Sequence, residues 1–238
     1  MKAVILAGGK GKRLAPYTTV FPKPLMPIGD MPILEVVLRQ LKAHGCEDIT
    51  LAVGHLAELL RTFFGDGSKF GIKIGYSVED QPLGTAGPLA LIDGLQETFF
   101  VMNGDILTDL DYSDLYKYHI ERGAAATIAT YERTVKIDFG VLDADSDGFI
   151  ANYIEKPAYA YRVSMGIYVF DPVVLQYIER GKYFDFPDLV KQLILDGKKV
   201  ASYPFSGYWL DIGRPDDYER AITEFECKKE LFLGGGKV

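Results

Sequence analysis

Leu6-Ala7-Gly8-Gly9-Lys10-Gly11-Lys12-Arg13-Leu14 follows directly on the apolar run Lys2-Ala3-Val4-Ile5-Leu6. A short, almost wholly apolar run that stops at glycines reads as a strand buried on both faces of a parallel sheet. Ligands in such sheets bind just beyond the carboxyl ends of the strands. Three glycines in four positions let the backbone come close to a ligand and turn its N–H groups towards phosphate or base. Two familiar templates do not fit. A Walker A loop needs Ser or Thr after its Gly-Lys, where this chain has Arg13, and a dinucleotide fingerprint needs a small residue where Leu14 stands.

Outward from this loop the pattern alternates. Helical periodicity runs from about Pro32 to His44 and stops at Gly45. Strands are expected at Ile49–Val53, Ile72–Val78 and Phe99–Asn103, with an amphipathic stretch at Ala57–Phe64. A helix capped by Ser113 is expected to run to Arg122, and a strand to follow at Ala124–Tyr131. The segment from Gly140 to Phe170 is β-rich, and helices are expected at about Pro172–Arg180, Pro187–Asp196 and Pro215–Leu231, with a strand at Val200–Tyr203. Strands alternating with helices predict an α/β fold: one Rossmann-like domain over residues 1–233, with a mostly parallel mixed sheet covered by helices on both faces. A small β-rich insertion is expected at about 138–171, and a frayed tail at 234–238.

Composition narrows the function classes. The 238 residues are 48% hydrophobic and 25% charged, which supports a packed core and excludes whole-chain disorder. Cys46 and Cys227 make no disulfide framework, and His44, His55 and His119 are scattered, which argues against a histidine metal site. No apolar run approaches the roughly 18 residues needed to span a bilayer, and Met1–Ala7 is too short for a leader, so a cytoplasmic protein without membrane partners is expected. Net charge is −7, yet residues 1–29 hold Lys2, Lys10, Lys12, Arg13 and Lys23 and no carboxylate. An acidic body repels long nucleic acid, whereas one cationic segment suits a small polyanion. The expected partner is a nucleotide.

A second segment stands out: Phe21-Pro22-Lys23-Pro24-Leu25 flanks a lysine with two prolines, so Lys23 is expected on a stiff, extended segment. With it the chain resembles the sugar-1-phosphate nucleotidylyltransferases, most closely the mannose-1-phosphate guanylyltransferases. The matching stretches are Gly8–Leu14 with Pro16 and Thr18, Pro22–Leu25, Pro-Leu-Gly-Thr-Ala-Gly (82–87), Asn-Gly-Asp-Ile (103–106), Ile-Glu-Lys-Pro (154–157) and Gly207–Pro215.

That resemblance implies transfer of a nucleotidyl group from a nucleoside triphosphate to a sugar 1-phosphate with release of pyrophosphate. The implied pairing is GTP with mannose 1-phosphate or a related hexose or heptose 1-phosphate. The alternatives are UTP or dTTP with glucose 1-phosphate, or a regulatory subunit that binds a nucleotide sugar. Asp105 and Asp211 are implied Mg²⁺ ligands, both placed after hydrophobic strands and facing one crevice. Arg13 resembles the pyrophosphate-holding arginine, and Lys23 the lysine that meets the α-phosphate. On the nucleotide side stand Leu6, Ala7, Gly8, Gly9, Gly11, Pro82, Gly84, Thr85 and Gly104, with Gln81 offering its amide to the base. Gly140, Glu155, Lys156 and Gly166 are implied on the sugar-phosphate side, with Ser164-Met165-Gly166 expected to line the sugar pocket.

Three further readings complete the set. Asp109-Leu110-Asp111 fits the Asp-x-Asp pattern of glycosyltransferases but is read as loop, and Trp209 is expected to buttress Asp211 from the core. The C-terminal helix (Tyr218, Ile222, Phe225, Leu231) is left open between packing at home and packing across a homodimer.

Overall fold

The computed structural model describes residues 1–234. Its centre is a seven-stranded sheet. β1 (Lys2–Leu6) lies in the middle, paired in parallel with β4 (Asp48–Val53) on one side and β6 (Phe99–Asn103) on the other. β5 (Lys73–Val78) continues the sheet beyond β4, also in parallel. On the other flank β11 (Ala158–Phe170) runs antiparallel to both β6 and β8 (Ala126–Lys136), and β12 (Val200–Phe205) closes the edge in parallel with β8. One reversed strand makes the sheet mixed, as expected.

The buried strands are apolar on both sides because both sides are covered. Ala3 and Ile5 of β1 join one core with Leu34, Val37 and Leu41 of α1 (Ile33–Ala43), Leu60 of α2 (Ala57–Phe64) and Leu115 of α3 (Tyr112–Arg122). Val4 points the other way, into a core with Leu189 and Leu193 of α4 (Phe186–Leu195). A third cluster lies beside the carboxyl ends of the strands. It joins Leu14, Ile28 and Ile33 to Leu107 of β7 (Ile106–Thr108), Leu210 of β13 (Trp209–Asp211), Phe225 of α5 (Pro215–Cys227) and Phe232 of α6 (Lys229–Leu233). Burying each such side chain is worth roughly 1.5–3 kcal/mol, so this cluster is a firm backing for whatever stands in front of it.

The expected β-rich stretch has a particular build. The outer ends of β8 and β11 run on past the sheet as a ribbon, with Ala158–Val163 paired to Tyr131–Lys136, and the hairpin of β9 (Val141–Ala144) and β10 (Ile150–Ile154) lies between them in sequence. The inner end of β11, Ile167–Phe170, belongs to the main sheet. Two short strands, β2 (Pro27–Ile28) and β3 (Met31–Pro32), form a separate bridge.

Several local expectations change. Asp111 caps α3, its side chain accepting the Asp114 N–H at 3.0 Å, because Ser113 already lies inside the helix. The helix expected at Pro172–Arg180 is a 3₁₀ turn over Pro172–Tyr177, which the Asp171 carboxylate starts by accepting the Val173 N–H at 2.8 Å. The last helix breaks at Lys228 into α5 and α6, and the break lets Phe232 fold back beside Phe225 in the third cluster. Phe225 and Tyr218 therefore pack at home, Tyr218 with a hydrogen bond to the Pro27 carbonyl at 2.6 Å, whereas Leu231 is exposed. The expected tail falls mostly on residues 235–238, outside the described residues.

Candidate active site

Beyond the carboxyl ends of β1, β4, β5 and β6 opens a cavity of about 920 Å³. Its lining includes every expected nucleotide-side residue: Leu6, Ala7, Gly8, Gly9, Gly11, Gln81, Pro82, Gly84, Thr85 and Gly104. Lys10, Lys12, Arg13, Lys23 and Asp105 line it as well. The glycine loop holds its shape through Gly11, whose φ of +58° is a conformation that side chains disfavour, and through Thr18, whose hydroxyl donates to the Gly11 carbonyl at 2.8 Å. Leu14, fully buried in the third cluster, then pins the end of the loop and fixes where Arg13 starts.

Lys23 is not on an extended segment. Pro22 is extended, but Lys23 opens a 3₁₀ turn, Lys23–Leu25, in which the Leu25 N–H reaches back to the Pro22 carbonyl at 2.8 Å. The turn buries Pro24 and Leu25 and aims the lysine inwards. Its side chain is 12% exposed, and its ammonium meets Asp105 Oδ2.

Asp105 sits in the step between β6 and β7. β13 pairs antiparallel with β7, placing Asp211 opposite Ile106, and the Ile212 N–H donates to the Asp105 carbonyl at 3.1 Å. The two aspartates are thus neighbours across a strand pair, as the sequence led us to expect. Asp211 does not line the cavity itself. Burial, and next the charge of Asp105, push its carboxyl above the usual range, and Lys23 and Arg13 offset only part of this. Arg13 reaches the same spot, for its guanidinium lies where a Cβ on Gly213 would stand 3.2 Å from Nη1. Asp105 Oδ1 is buried with no hydrogen-bond partner among the described residues. Two cations and two carboxylates therefore converge, with one carboxylate oxygen left unsatisfied.

The sugar-side expectations divide. Gly166 stands close to this centre: its φ is +74°, at the irregularity in the β8–β11 pairing, and a Cβ there would lie 2.7 Å from Asn103 Nδ2. Met165, expected to line a pocket, is instead 1% exposed within the core, and its carbonyl accepts the Trp209 indole N–H at 3.1 Å. Trp209 packs against that core beside Tyr131, as expected of a buttress. Gly140, Glu155 and Lys156 lie on the ribbon and hairpin and do not line the cavity. Glu155 and Lys156 are exposed, with Tyr153 donating to Glu155 Oε2 at 2.8 Å and Lys156 in a left-handed conformation, φ +46°. The Asp-x-Asp carboxylates serve structure: Asp109 accepts the Tyr208 N–H at 2.6 Å and Asp111 caps α3.

Among the cavity residues that sequence reasoning passed over, three stand out. Asp185 accepts the Thr85 N–H at 2.8 Å and hydroxyl at 3.0 Å on one oxygen, and the Tyr183 hydroxyl at 2.6 Å on the other. Burial raises its carboxyl, but these hydrogen bonds outweigh burial and hold it below the usual range. This clamps the Gly84–Thr85 loop and stands Tyr183 at the cavity wall. Glu79 is the third, half-buried at the end of β5, with its carboxyl pushed up by burial. The rule that picked out Asp105, an acid directly after a strand, would have found it.

A mostly parallel sheet with a ligand cavity past its carboxyl ends places the protein among the α/β proteins that bind at this edge. A family model described as Nucleotidyl transferase matches residues 2–228, and the chain belongs to that family. It is 38% identical over 242 residues to a UTP–glucose-1-phosphate uridylyltransferase of Synechocystis sp., covering 93% of this chain and 62% of that protein. It is 36% identical over 261 residues to a mannose-1-phosphate guanyltransferase of Candida albicans, covering 100% of this chain and 71% of that protein. The structure of HddC from Yersinia pseudotuberculosis complexed with GMP-PN superposes with a TM-score of 0.71 at 25% identity, over 94% of this chain and 99% of that one. The chain therefore spans a little over three-fifths of the length of the first of these relatives. Among the described residues no helix is long and apolar enough to cross a membrane.

Proposed function

We propose that this chain transfers a nucleotidyl group from a nucleoside triphosphate to a sugar 1-phosphate, with GTP and mannose 1-phosphate or a related hexose or heptose 1-phosphate as the pairing. A phosphate oxygen of the sugar 1-phosphate attacks the α-phosphorus, the bond from that phosphorus to the β-bridging oxygen breaks, and pyrophosphate leaves with the electron pair. The observation that carries this reading is the convergence of Arg13, Lys23 and Asp105 at one end of the glycine-loop cavity, with Asp211 beside Asp105 just behind the wall. Two anions must be aligned there and their charge offset as the reaction proceeds.

The residues suit a divalent cation of the Mg²⁺ type. Asp105 offers a buried oxygen without a partner, and Asp211 beside it is a carboxylate short of positive charge. Oxygen-only donors in this number fit Mg²⁺, which takes one or two carboxylates and fills its remaining positions from water and substrate phosphates. When bound, it would supply charge neutralisation at the phosphates. Arg13 presents a planar donor fork to the departing pyrophosphate, and Lys23, aimed inwards by its 3₁₀ turn, offsets charge at the α-phosphate. Glu155 and Lys156 receive the sugar phosphate from the ribbon, Glu155 at a ring hydroxyl and Lys156 at the phosphate. Gly140 and Gly166 let Tyr153 and Asn103 pack closely on that side, where a Cβ on Gly140 would overlap Tyr153 and one on Gly166 would come within 2.7 Å of Asn103.

The reverse reaction tests the proposal. GDP-mannose incubated with pyrophosphate and Mg²⁺ should yield GTP and mannose 1-phosphate. Absence of pyrophosphorolysis with GDP-, UDP- and dTDP-sugars alike would remove the proposal.

A further inference from the structure

The outer ribbon and the hairpin carry apolar surface that no other described residue covers. The β9–β10 sheet has only two strands, and every residue of β10 is exposed. Its register sets Leu142 opposite Tyr153 and Ala144 opposite Ile150, all on one face, and Leu142, Ile150 and Tyr153 are exposed. Phe139 at the foot and Phe149 at the tip are 77% and 73% exposed. A two-stranded hairpin on its own is marginal in water and needs a layer packed against it.

The ribbon repeats the pattern. Val135 pairs with Tyr159 and Arg133 with Tyr161, all on one face, where Val135 and Tyr161 are exposed. The bare parts of these apolar side chains on ribbon and hairpin come to roughly 900 Å², on the scale of the ~800 Å² that each partner contributes to a stable interface of standard size.

Charge identifies the occupant. The ribbon carries Arg133, Lys136 and Arg162 against Glu132, whereas residues 137–157 carry Asp138, Asp143, Asp145, Asp147 and Glu155 against Lys156. Among the described residues the only ion pair in this region joins Glu155 to Lys156, at 3.8 Å. A partner of one sign would suit the ribbon or the hairpin and repel the other. A second copy suits both, because a two-fold axis sets its hairpin on this ribbon and its ribbon under this hairpin. We propose that the chain forms a two-fold homodimer in which the acidic hairpin of each copy packs on the basic ribbon of the other. Glu155 and Lys156 close that hairpin, so the partner also steadies the residues placed on the sugar phosphate. That consequence rests on the transferase reading; the pairing itself does not.

Sedimentation equilibrium of the full chain should give a dimer at about 10 μM. Ile150→Asp, at an exposed position, should raise the dissociation constant about a hundredfold and leave the circular-dichroism spectrum unchanged. Charge reversal is the sharper test. Arg133→Glu with Lys136→Glu leaves ribbon and hairpin both acidic. Asp138→Lys with Asp143→Lys and Asp147→Lys leaves both basic. Each of these two variants alone should be monomeric at that concentration. Mixed in equal amounts they should pair, since every acidic surface then meets a basic one. A monomeric wild-type chain would overturn the proposal and leave the face to a partner of another kind. A dimer that survives Ile150→Asp and both reversals, or reversed chains that stay apart when mixed, would overturn it too. None of these measurements needs turnover, so the homodimer and the transferase activity fail separately.

Discussion

Asp211→Asn should make the metal-free protein more stable and the Mg²⁺-loaded protein less stable than wild type. Burial and the adjacent charge of Asp105 raise the Asp211 carboxyl above its ordinary value of 3.8. A carboxyl raised by folding contributes stability that is fully present below 3.8 and is lost as pH rises through the higher folded value. At neutral pH the metal-free fold therefore carries an ionised group at a net cost. Replacing it with the isosteric, neutral amide should recover a gain on the order of 1 kcal/mol, the usual size for relieving one unfavourable polar contact. For a chain of this length that is roughly 2–4 °C in Tm. Mg²⁺ acts the other way. At a hundred times its dissociation constant it should stabilise wild type by about 2.7 kcal/mol, or roughly 5–10 °C, and the variant by little. Thermal melts at pH 7.5, with EDTA and then with a Mg²⁺ titration, should show the two curves exchanging rank. A variant that melts lower in EDTA, or one that keeps the wild-type Mg²⁺ shift, would refute the assignment of Asp211 as a strained metal ligand.

Other variants separate the remaining roles. Lys23→Ala should lower kcat by a hundredfold or more while changing nucleotide affinity much less, since its charge is needed most as the α-phosphate reacts; an effect confined to KM would contradict that. Lys156→Ala should raise KM for the sugar 1-phosphate about tenfold and leave KM for the nucleotide within twofold, measured by varying each substrate at saturation of the other. Gly166→Ala should destabilise the fold by more than 1 kcal/mol in urea titrations. It would force a side chain into φ +74° and against Asn103, 2.7 Å away. Phe225→Ala should cost about 3–5 kcal/mol by opening a cavity in the cluster behind Leu14 and Leu210.

The fold was legible because its signals are local and strong. Lys2–Leu6 is continuously apolar, as only a strand covered on both faces tends to be, and Ile33–Ala43 and Ala57–Phe64 carry clear helical stripes ended by glycine. What failed depended on competition between neighbours. Asp111 displaced Ser113 as a cap, and Asp171 with Pro172 started a 3₁₀ turn where periodicity alone suggested a helix. Lys23 was singled out for the right reason, two rigid neighbours, yet proline at the second position of a 3₁₀ turn served better than extended chain. The centre was visible because Asp105 and Asp211 each end a hydrophobic run. Their adjacency is set by the β7–β13 pairing, whose partners are about a hundred residues apart in sequence. Asp185 was missed because its importance comes from Thr85 meeting it in space, whereas Glu79, directly after β5, was open to the same rule that found Asp105. Met165 misled because a bulge turns it into the core, while Gly166 beside it faces Asn103.

The most direct test of the central claim is pyrophosphate release with Mg²⁺, crossing GTP, UTP, dTTP, CTP and ATP against mannose, glucose and heptose 1-phosphates. The account predicts release with GTP and one of these acceptors, one pyrophosphate per nucleotide sugar formed, and none without the sugar phosphate. Silence across every pairing, or pyrophosphate released without a sugar acceptor, would contradict it.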